Sequence, residues 1–167
     1  MLPIHTILHP TDFSAASDHA FQVACALARD YVARLVVLHV KPFEMMYAGD
    51  DYILPSDPEA ARQAKRAQLD RLRPPDPALQ VERLLAEGDA VHEILHAAQE
   101  VHADVIVLGT HGRTGVGRLL MGSVAEAVLR KAPCPVLTVK TPLPKTEVEP
   151  EEEAEAIASG PGLIRFR

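Results

Sequence analysis

Short apolar runs alternate with longer amphipathic stretches along the first 140 residues of the chain. In the longer stretches, apolar residues recur three and four positions apart, which is the spacing of one helix face. The short runs are predicted as strands and cover residues 5–9, 35–40, 79–86, 103–108 and 136–139. Strict alternation of the two patterns is typical of a parallel sheet whose crossover helices cover both faces.

We therefore expect an α/β fold, a doubly wound five-stranded parallel sheet in the order 3-2-1-4-5 with helices on both faces. The order follows the usual topology of such sheets rather than particular residues. In this order the winding reverses between strands 1 and 4, and ligands bind beyond the carboxyl ends of the strands at such a point. Residues 10–12 and a glycine-rich loop that begins at Gly109 reach this point.

Cap residues predict where the helices begin. Ser14 and Asp89 precede two amphipathic stretches, and both side chains accept hydrogen bonds well from a first helical turn. Asp57 precedes Pro58, and proline is favoured at the first position of a helix. Residues 41–57 are predicted as a long apolar loop, and loops of this length are usually lids or contact surfaces.

Composition narrows the class of protein. The 167 residues are enough for one domain with a core, and we expect residues 1–140 to form it. The net charge of −6 argues against nucleic acid or an anionic membrane as a partner. No apolar run approaches the ~18 residues of a membrane span, and residues 1–13 lack the pattern of a signal peptide. Two cysteines are too few for a disulfide framework, so the cytoplasm is the expected compartment.

Beyond the last strand the composition shifts to proline and glutamate, so residues 141–167 are predicted as an acidic C-terminal tail. Two interpretations stay open. In one, the tail is solvated throughout, as its charge favours. In the other, residues 150–159 form a short helix, and Leu163, Ile164 and Phe166 dock on the body or on a partner subunit.

The glycine-rich loop carries the clearest chemistry. Five of the nine glycines lie within residues 109–122, and a predicted helix follows from Ser123. Glycines allow close backbone approach to a ligand, the helix start presents N–H groups to an anion, and Arg113 suits phosphate. A Walker A loop requires Lys where Arg118 stands, and a Rossmann fingerprint requires Gly where Leu120 stands, so both motifs are excluded.

The spacing of this loop resembles the nucleotide-binding branch of the universal stress protein family. That branch has a glycine, two residues, a glycine, nine residues, a glycine and then Ser or Thr, here Gly109, Gly112, Gly122 and Ser123. Two further segments resemble the same family: Asp12 just after the first strand, and residues 132–136 before the last. The resemblance covers residues 3–140 and leaves the tail outside.

The resemblance implies an ATP site and a homodimer. The residues that match nucleotide-binding positions of the family are Pro10, Asp12, Val40, Gly109, Gly112, Arg113, Thr114, Gly115, Gly122, Ser123 and Val124. Asp12 is also a candidate for contact with a Mg²⁺ or Mn²⁺ ion carried by the phosphates. Dimerisation is implied through the strand at 136–139, and a higher oligomer stays open.

Three functions follow from this interpretation. The first is an ATP-binding universal stress protein that acts as a nucleotide-dependent stress-response regulator or signalling module. The second is a slow ATPase on the same fold, without efficient turnover, because no residue besides Asp12 suggests a base and none is assigned as catalytic. The third is a nucleotide-free dimeric scaffold. The sequence leaves ATP, ADP and AMP as alternatives.

A second motif, His-Glu-x-x-His at residues 92–96, matches the zinc protease pattern. The buried stripe of its helix is predicted at Val91, Ile94, Leu95, Ala98 and Val101. His92 and His96 lie off this stripe, and no third protein ligand is suggested. We therefore expect no zinc catalysis here, and adventitious metal binding at the surface is the favoured alternative.

Overall fold

A computed structural model describes residues 3–42, 46–48, 51–53, 58–110 and 122–140. Strands and helices alternate along the chain, apart from one hairpin inserted after the second strand. The elements are β1 (Thr6–Pro10), α1 (Ala15–Tyr31), β2 (Arg34–Lys41), β3 (Met46–Ala48), β4 (Asp51–Ile53), α2 (Pro58–Arg71), β5 (Val81–Glu87), α3 (Ala90–Glu100), β6 (Val105–Gly109), α4 (Ser123–Lys131) and β7 (Val136–Val139).

Five strands form one sheet in the order β5-β2-β1-β6-β7, and every neighbouring pair in it is parallel. Counted along the chain, these five strands stand in the order 3-2-1-4-5. The predicted fold class and strand order are therefore confirmed. None of the described helices is long and apolar enough to cross a membrane.

The prediction of an unbroken loop over residues 41–57 is wrong. β3 and β4 lie within it and pair in antiparallel register, with Met46 opposite Ile53. Three-residue strands are too short to show an alternating pattern, so periodicity gave no sign of them.

Successive side chains of the strands enter two separate cores, one on each face of the sheet. Ile7 of β1 and Val37 of β2 pack with Phe21 of α1 and Leu69 of α2. On the other face, residues such as Leu8 of β1 pack with α3 and α4. Burial on both faces explains why the strands are almost continuously apolar, and it confirms the predicted placement of helices on both faces.

Two predicted helix caps are confirmed. The Ser14 hydroxyl accepts a hydrogen bond from the Ser17 amide at 3.2 Å, and the Asp89 carboxylate accepts one from the His92 amide at 2.8 Å. Each bond satisfies an amide that has no partner within the first turn of its helix. Asp57 lies outside the described residues.

The carboxyl end of α1 stores backbone strain. Val32 follows the helix with φ 54° and ψ 40°, in the left-handed region, and its side chain is 92% exposed. A β-branched residue is unfavourable there, because its Cβ crowds the following carbonyl. Because the side chain is exposed, its packing adds little stability to offset that strain.

We therefore expect Val32→Gly to raise the free energy of unfolding by about 1 kcal/mol, because glycine adopts this conformation freely. Urea denaturation measures the change. Ala26→Gly, on the exposed side of α1, is the matched control and should lower stability by about 1 kcal/mol. A loss of stability in Val32→Gly would show that the conformation carries no strain.

Candidate functional site

A cleft opens where the winding of the sheet reverses, between the carboxyl ends of β1 and β6. Its volume is about 260 Å³. Strands β1, β2 and β6 form its floor, and α1, α3 and α4 contribute to its walls. It is lined by Pro10, Thr11, Asp12, Ser17, Leu38, Val40, Ala90, Ile94, Leu108, Gly109, Thr110, Gly122, Ser123, Val124, Ala125 and Val128.

The structure brings together every predicted site residue that it describes. These residues all line the cleft and are Pro10, Asp12, Val40, Gly109, Gly122, Ser123 and Val124. The other four, Gly112, Arg113, Thr114 and Gly115, lie outside the described residues. Whether any of the eleven contacts a nucleotide stays a prediction.

Several lining residues were missed by sequence reasoning. Ala90 and Ile94 form a wall from α3, a helix whose His-Glu-x-x-His motif gave no indication of a nucleotide site. Thr11 and Thr110 also line the cleft. They lie in the two segments predicted to reach it, residues 10–12 and the loop from Gly109, but neither was assigned a nucleotide contact.

Gly109 has a packing role as well as a place in the cleft. A Cβ at this position would lie 2.9 Å from both the carbonyl carbon and the carbonyl oxygen of Ala16, and 3.2 Å from the Ser17 nitrogen. These atoms belong to the backbone of α1, so a side chain could be accommodated only by moving the helix. Glycine therefore lets the start of α1 approach the end of β6.

The turn between β1 and α1 is held by its own side chains. Asp12 Oδ1 accepts hydrogen bonds from the Ser14 amide at 3.0 Å and the Ser14 hydroxyl at 2.6 Å. Thr11 Oγ1 accepts from the Phe13 amide at 3.1 Å and from the Ser17 hydroxyl at 2.8 Å. These bonds support Phe13 at φ 61° and keep the Asp12 carboxylate at the cleft.

The start of α4 faces the cleft. Gly122 is its N-cap residue, and its amide donates a hydrogen bond to the Thr110 carbonyl at 2.7 Å. Glycine supplies no capping side chain, so the first-turn amides remain for water or a ligand. Because Ser123 and Val124 line the cleft, the positive end of the helix dipole lies at its edge.

Two buried histidines lie beneath the cleft. His9 Nδ1 donates a hydrogen bond to the Val107 carbonyl of β6 at 2.8 Å, and His39 Nδ1 donates one to the Thr11 carbonyl at 2.7 Å. Burial lowers the pKa of His9 from 6.5 to about 4, against the smaller opposing effect of its bond to Val107. His9 is therefore neutral at pH 7 and joins the two strands that border the cleft.

The cleft lining combines an apolar floor with hydroxyl groups at its edge. Of the described residues that line it, only Asp12 carries a charge. The hydroxyls come from Thr11, Ser17, Thr110 and Ser123. This combination suits a ligand with an apolar part and a polar remainder. In the described ranges, no three His, Cys, Asp or Glu side chains gather as a metal site.

The histidines of the zinc-protease-like motif lie away from this cleft. The side chains of His92 and His96 are 74% and 59% exposed. Ile94, between them in sequence, is buried and lines the cleft. The motif therefore places its histidines on the outer surface of α3.

The fold and cleft define a doubly wound α/β protein with a ligand site at its topological switch point. A profile of the universal stress protein family matches residues 3–140. The universal stress protein MJ0531 of Methanocaldococcus jannaschii is 35% identical over 145 residues, which cover 81% of this chain and 82% of that protein. The chain belongs to the universal stress protein family.

Solved structures agree with this assignment. The universal stress protein UspA of Lactobacillus plantarum has a TM-score of 0.63 and 26% identity, over 81% of this chain and 97% of that one. A universal stress protein in complex with cAMP has a TM-score of 0.53 and 25% identity, over 82% and 97%. One from Archaeoglobus fulgidus in complex with dAMP has a TM-score of 0.55 and 25% identity, over 84% and 100%.

Burial of His9 predicts a specific loss of stability in acid. The unfolded chain takes up a proton on this ring near pH 6.5, and the folded chain only near pH 4. Stability is therefore fully present above about pH 6.5 and falls as the pH approaches 4, by about 3 kcal/mol in total.

His9→Asn removes the titrating group and keeps an N–H donor for the Val107 carbonyl. Urea denaturation from about pH 7 to about pH 4 should show a smaller acid loss in this variant, by about 3 kcal/mol. His102→Asn, at an exposed position, is the control. Parallel pH profiles for wild type and His9→Asn would contradict the assignment.

Proposed function

We propose that this chain is an adenine-nucleotide-binding universal stress protein, with ATP as its ligand, which acts in the cytoplasm as a stress-response regulator. The observation that carries the proposal is the cleft at the switch point, where an apolar floor meets the start of α4. The bound cAMP and dAMP of two structural neighbours support an adenine nucleotide as the ligand class.

The apolar part of the cleft is assigned to the base. Leu38 and Val40 at the end of β2 and Ile94 of α3 offer a surface onto which a planar ring fits. Apolar side chains cannot form hydrogen bonds with the exocyclic groups of the base. We therefore assign those hydrogen bonds to the backbone at Val40.

The phosphates are assigned to the glycine loop and the start of α4. The first-turn amides of α4 and the Ser123 hydroxyl donate to phosphate oxygens. The loop residues Gly112, Arg113, Thr114 and Gly115 complete this part of the site. Asp12 contacts the ribose, or a Mg²⁺ or Mn²⁺ ion held by the phosphates, because hard cations use carboxylate and phosphate oxygens together.

A regulator that responds to whether nucleotide is bound in its cleft does not need to hydrolyse that nucleotide. A ligand shifts a conformational equilibrium by the difference in its affinity for the two states. The described cleft holds one carboxylate, already engaged by Ser14, and this favours a binding role over rapid phosphoryl transfer. Slow hydrolysis remains the alternative function.

We also propose a homodimer through β7. This strand lies at the edge of the sheet beside β6, and Leu137 on it is 40% exposed. An edge strand with an exposed apolar residue readily pairs with another chain. Two copies of the strand joined edge to edge would extend the sheet across the dimer.

Calorimetric titration with Mg-ATP tests the nucleotide site. We expect saturable binding of one nucleotide per chain, weakened at least about tenfold by Ala90→Phe, since the larger side chain enters the cleft from α3. Ala64→Phe, an exposed change on α2, is the matched control and should bind like wild type. Folded wild-type protein that shows no binding at millimolar nucleotide would refute the proposal.

The variant Asp12→Asn distinguishes two roles of Asp12, contact with the ligand and stabilisation of the turn after β1. Asparagine keeps an oxygen that accepts from the Ser14 amide, so stability should change by less than about 0.5 kcal/mol. The loss of the negative charge should weaken Mg-ATP binding about tenfold. Equal affinity of the two proteins, measured by calorimetry, would assign Asp12 to the turn alone.

Light scattering coupled to gel filtration tests the dimer. Leu137→Lys should shift the chain towards monomer, because it introduces a charge into the proposed interface. Leu129→Lys removes a similarly exposed leucine from α4 and should leave the dimer intact. A Leu137→Lys protein that stays dimeric would place the interface elsewhere.

A further inference from the structure

The outer face of α3 carries a histidine pair that the nucleotide cleft does not use. His92 and His96 are one helical turn apart, at positions i and i+4, so their side chains lie on the same face. Their rings are parallel within 4°, with centroids 6.3 Å apart. Both side chains are more than half exposed. They therefore contribute little to the core and can turn towards a common ligand.

A carboxylate fixes the protonation of one ring. Glu93 Oε1 lies 2.8 Å from His92 Nδ1. Because an ionised carboxylate only accepts, Nδ1 carries the hydrogen and donates it, which leaves the lone pair on Nε2. A carboxylate that orients a histidine in this way is the common second partner of a metal-ligating imidazole.

A second carboxylate lies beside the other ring. Glu100 Oε1 is 3.9 Å from His96 Nε2, one further turn along the same face. Its negative charge favours a cation at this surface. Two imidazoles, each with a carboxylate beside it, therefore lie one turn apart on this helix.

The two imidazole nitrogens determine which class of metal ion this surface prefers. Imidazole suits Zn²⁺, Ni²⁺ and Cu²⁺, whereas Mg²⁺ and Ca²⁺ prefer sites built from oxygen atoms. Only two nitrogen ligands are present, so water or another solvent ligand fills the remaining positions. The described residues form no group of three ligands, and the site is therefore open rather than a closed structural zinc centre.

We propose that His92 and His96 form a two-histidine site for a divalent transition-metal ion, Zn²⁺, Ni²⁺ or Cu²⁺, on the outer face of α3. A metal held by both rings joins successive turns and stabilises this part of the helix. The opposite face of the same turns carries Ala90 and Ile94, which form a wall of the cleft. The metal site is thus separate from the nucleotide cleft and shares a helix with it.

Calorimetric titration with Zn²⁺ and with Ni²⁺ tests this site on untagged, nucleotide-free, full-length protein. We expect one ion per chain, with affinity at least about tenfold lower in His92→Ala and in His96→Ala. His5→Ala removes an exposed histidine outside α3 and should bind like wild type. Binding should weaken as the solution is acidified, because protons compete with the metal for the imidazole nitrogens.

Amide hydrogen exchange tests where the ion binds, independently of how many ions bind per chain. The ion should slow exchange within α3 in wild type and leave it unchanged in His96→Ala. Both variants alter exposed side chains, so circular dichroism should show an intact fold. Zn²⁺ and Ni²⁺ binding that is the same in wild type and His96→Ala, or is undetectable at millimolar ion, would overturn the proposal. Neither experiment measures nucleotide affinity. A negative result for the metal site would therefore leave the proposed nucleotide site untouched, and the reverse also holds.

Discussion

The close contact between the start of α1 and the end of β6 determines the form of the site. It depends on Gly109, because a Cβ there would lie 2.9 Å from the backbone of Ala16. With the helix this near, the Ser17 hydroxyl bonds to Thr11 and the preceding turn brings Asp12 to the cleft. The packing of α1 on β6 therefore requires glycine at this position, whether or not a ligand binds. Gly109 also lines the cleft, because this contact lies at the end of β6.

Hydrogen bonds beneath the cleft hold its border in place. His9 joins β1 to β6, and His39 joins β2 to the turn that follows β1, so both rings support the strand ends from which a ligand would be held. The His39 ring also packs on Phe13, the left-handed residue of that turn, with ring centroids 4.4 Å apart. A neutral, buried imidazole such as His9 suits this role because it donates to a carbonyl without placing a charge in the core.

Local pattern predicted most of the fold, because the central strands β1, β2 and β6 are buried on both faces, and α1, α3 and α4 each have an apolar stripe. The caps at Ser14 and Asp89 were predictable for the same reason, since a cap bond involves neighbouring residues only. β3 and β4 were not predictable, because three residues are too few to show a period. The spacing of the glycine loop indicated which strand ends would form the cleft.

The remaining features of the site depend on contacts between distant segments. The α3 wall formed by Ala90 and Ile94 follows from how that helix crosses the sheet, and no local motif marks it. The contact between Gly109 and Ala16 joins residues far apart in sequence, so the packing requirement for glycine was invisible. The partners of His9 and His39 became evident only once the strand order had set β1 between β2 and β6.

The central claim is that an adenine nucleotide binds at this switch point, and amide NMR during a titration with Mg-ATP tests it most directly. The account predicts saturable shifts concentrated at Thr11, Asp12, Gly109, Thr110 and Ser123, with the amino-terminal ends of the strands unaffected. Saturable shifts centred elsewhere on the molecule, or a spectrum unchanged at millimolar nucleotide, would contradict it.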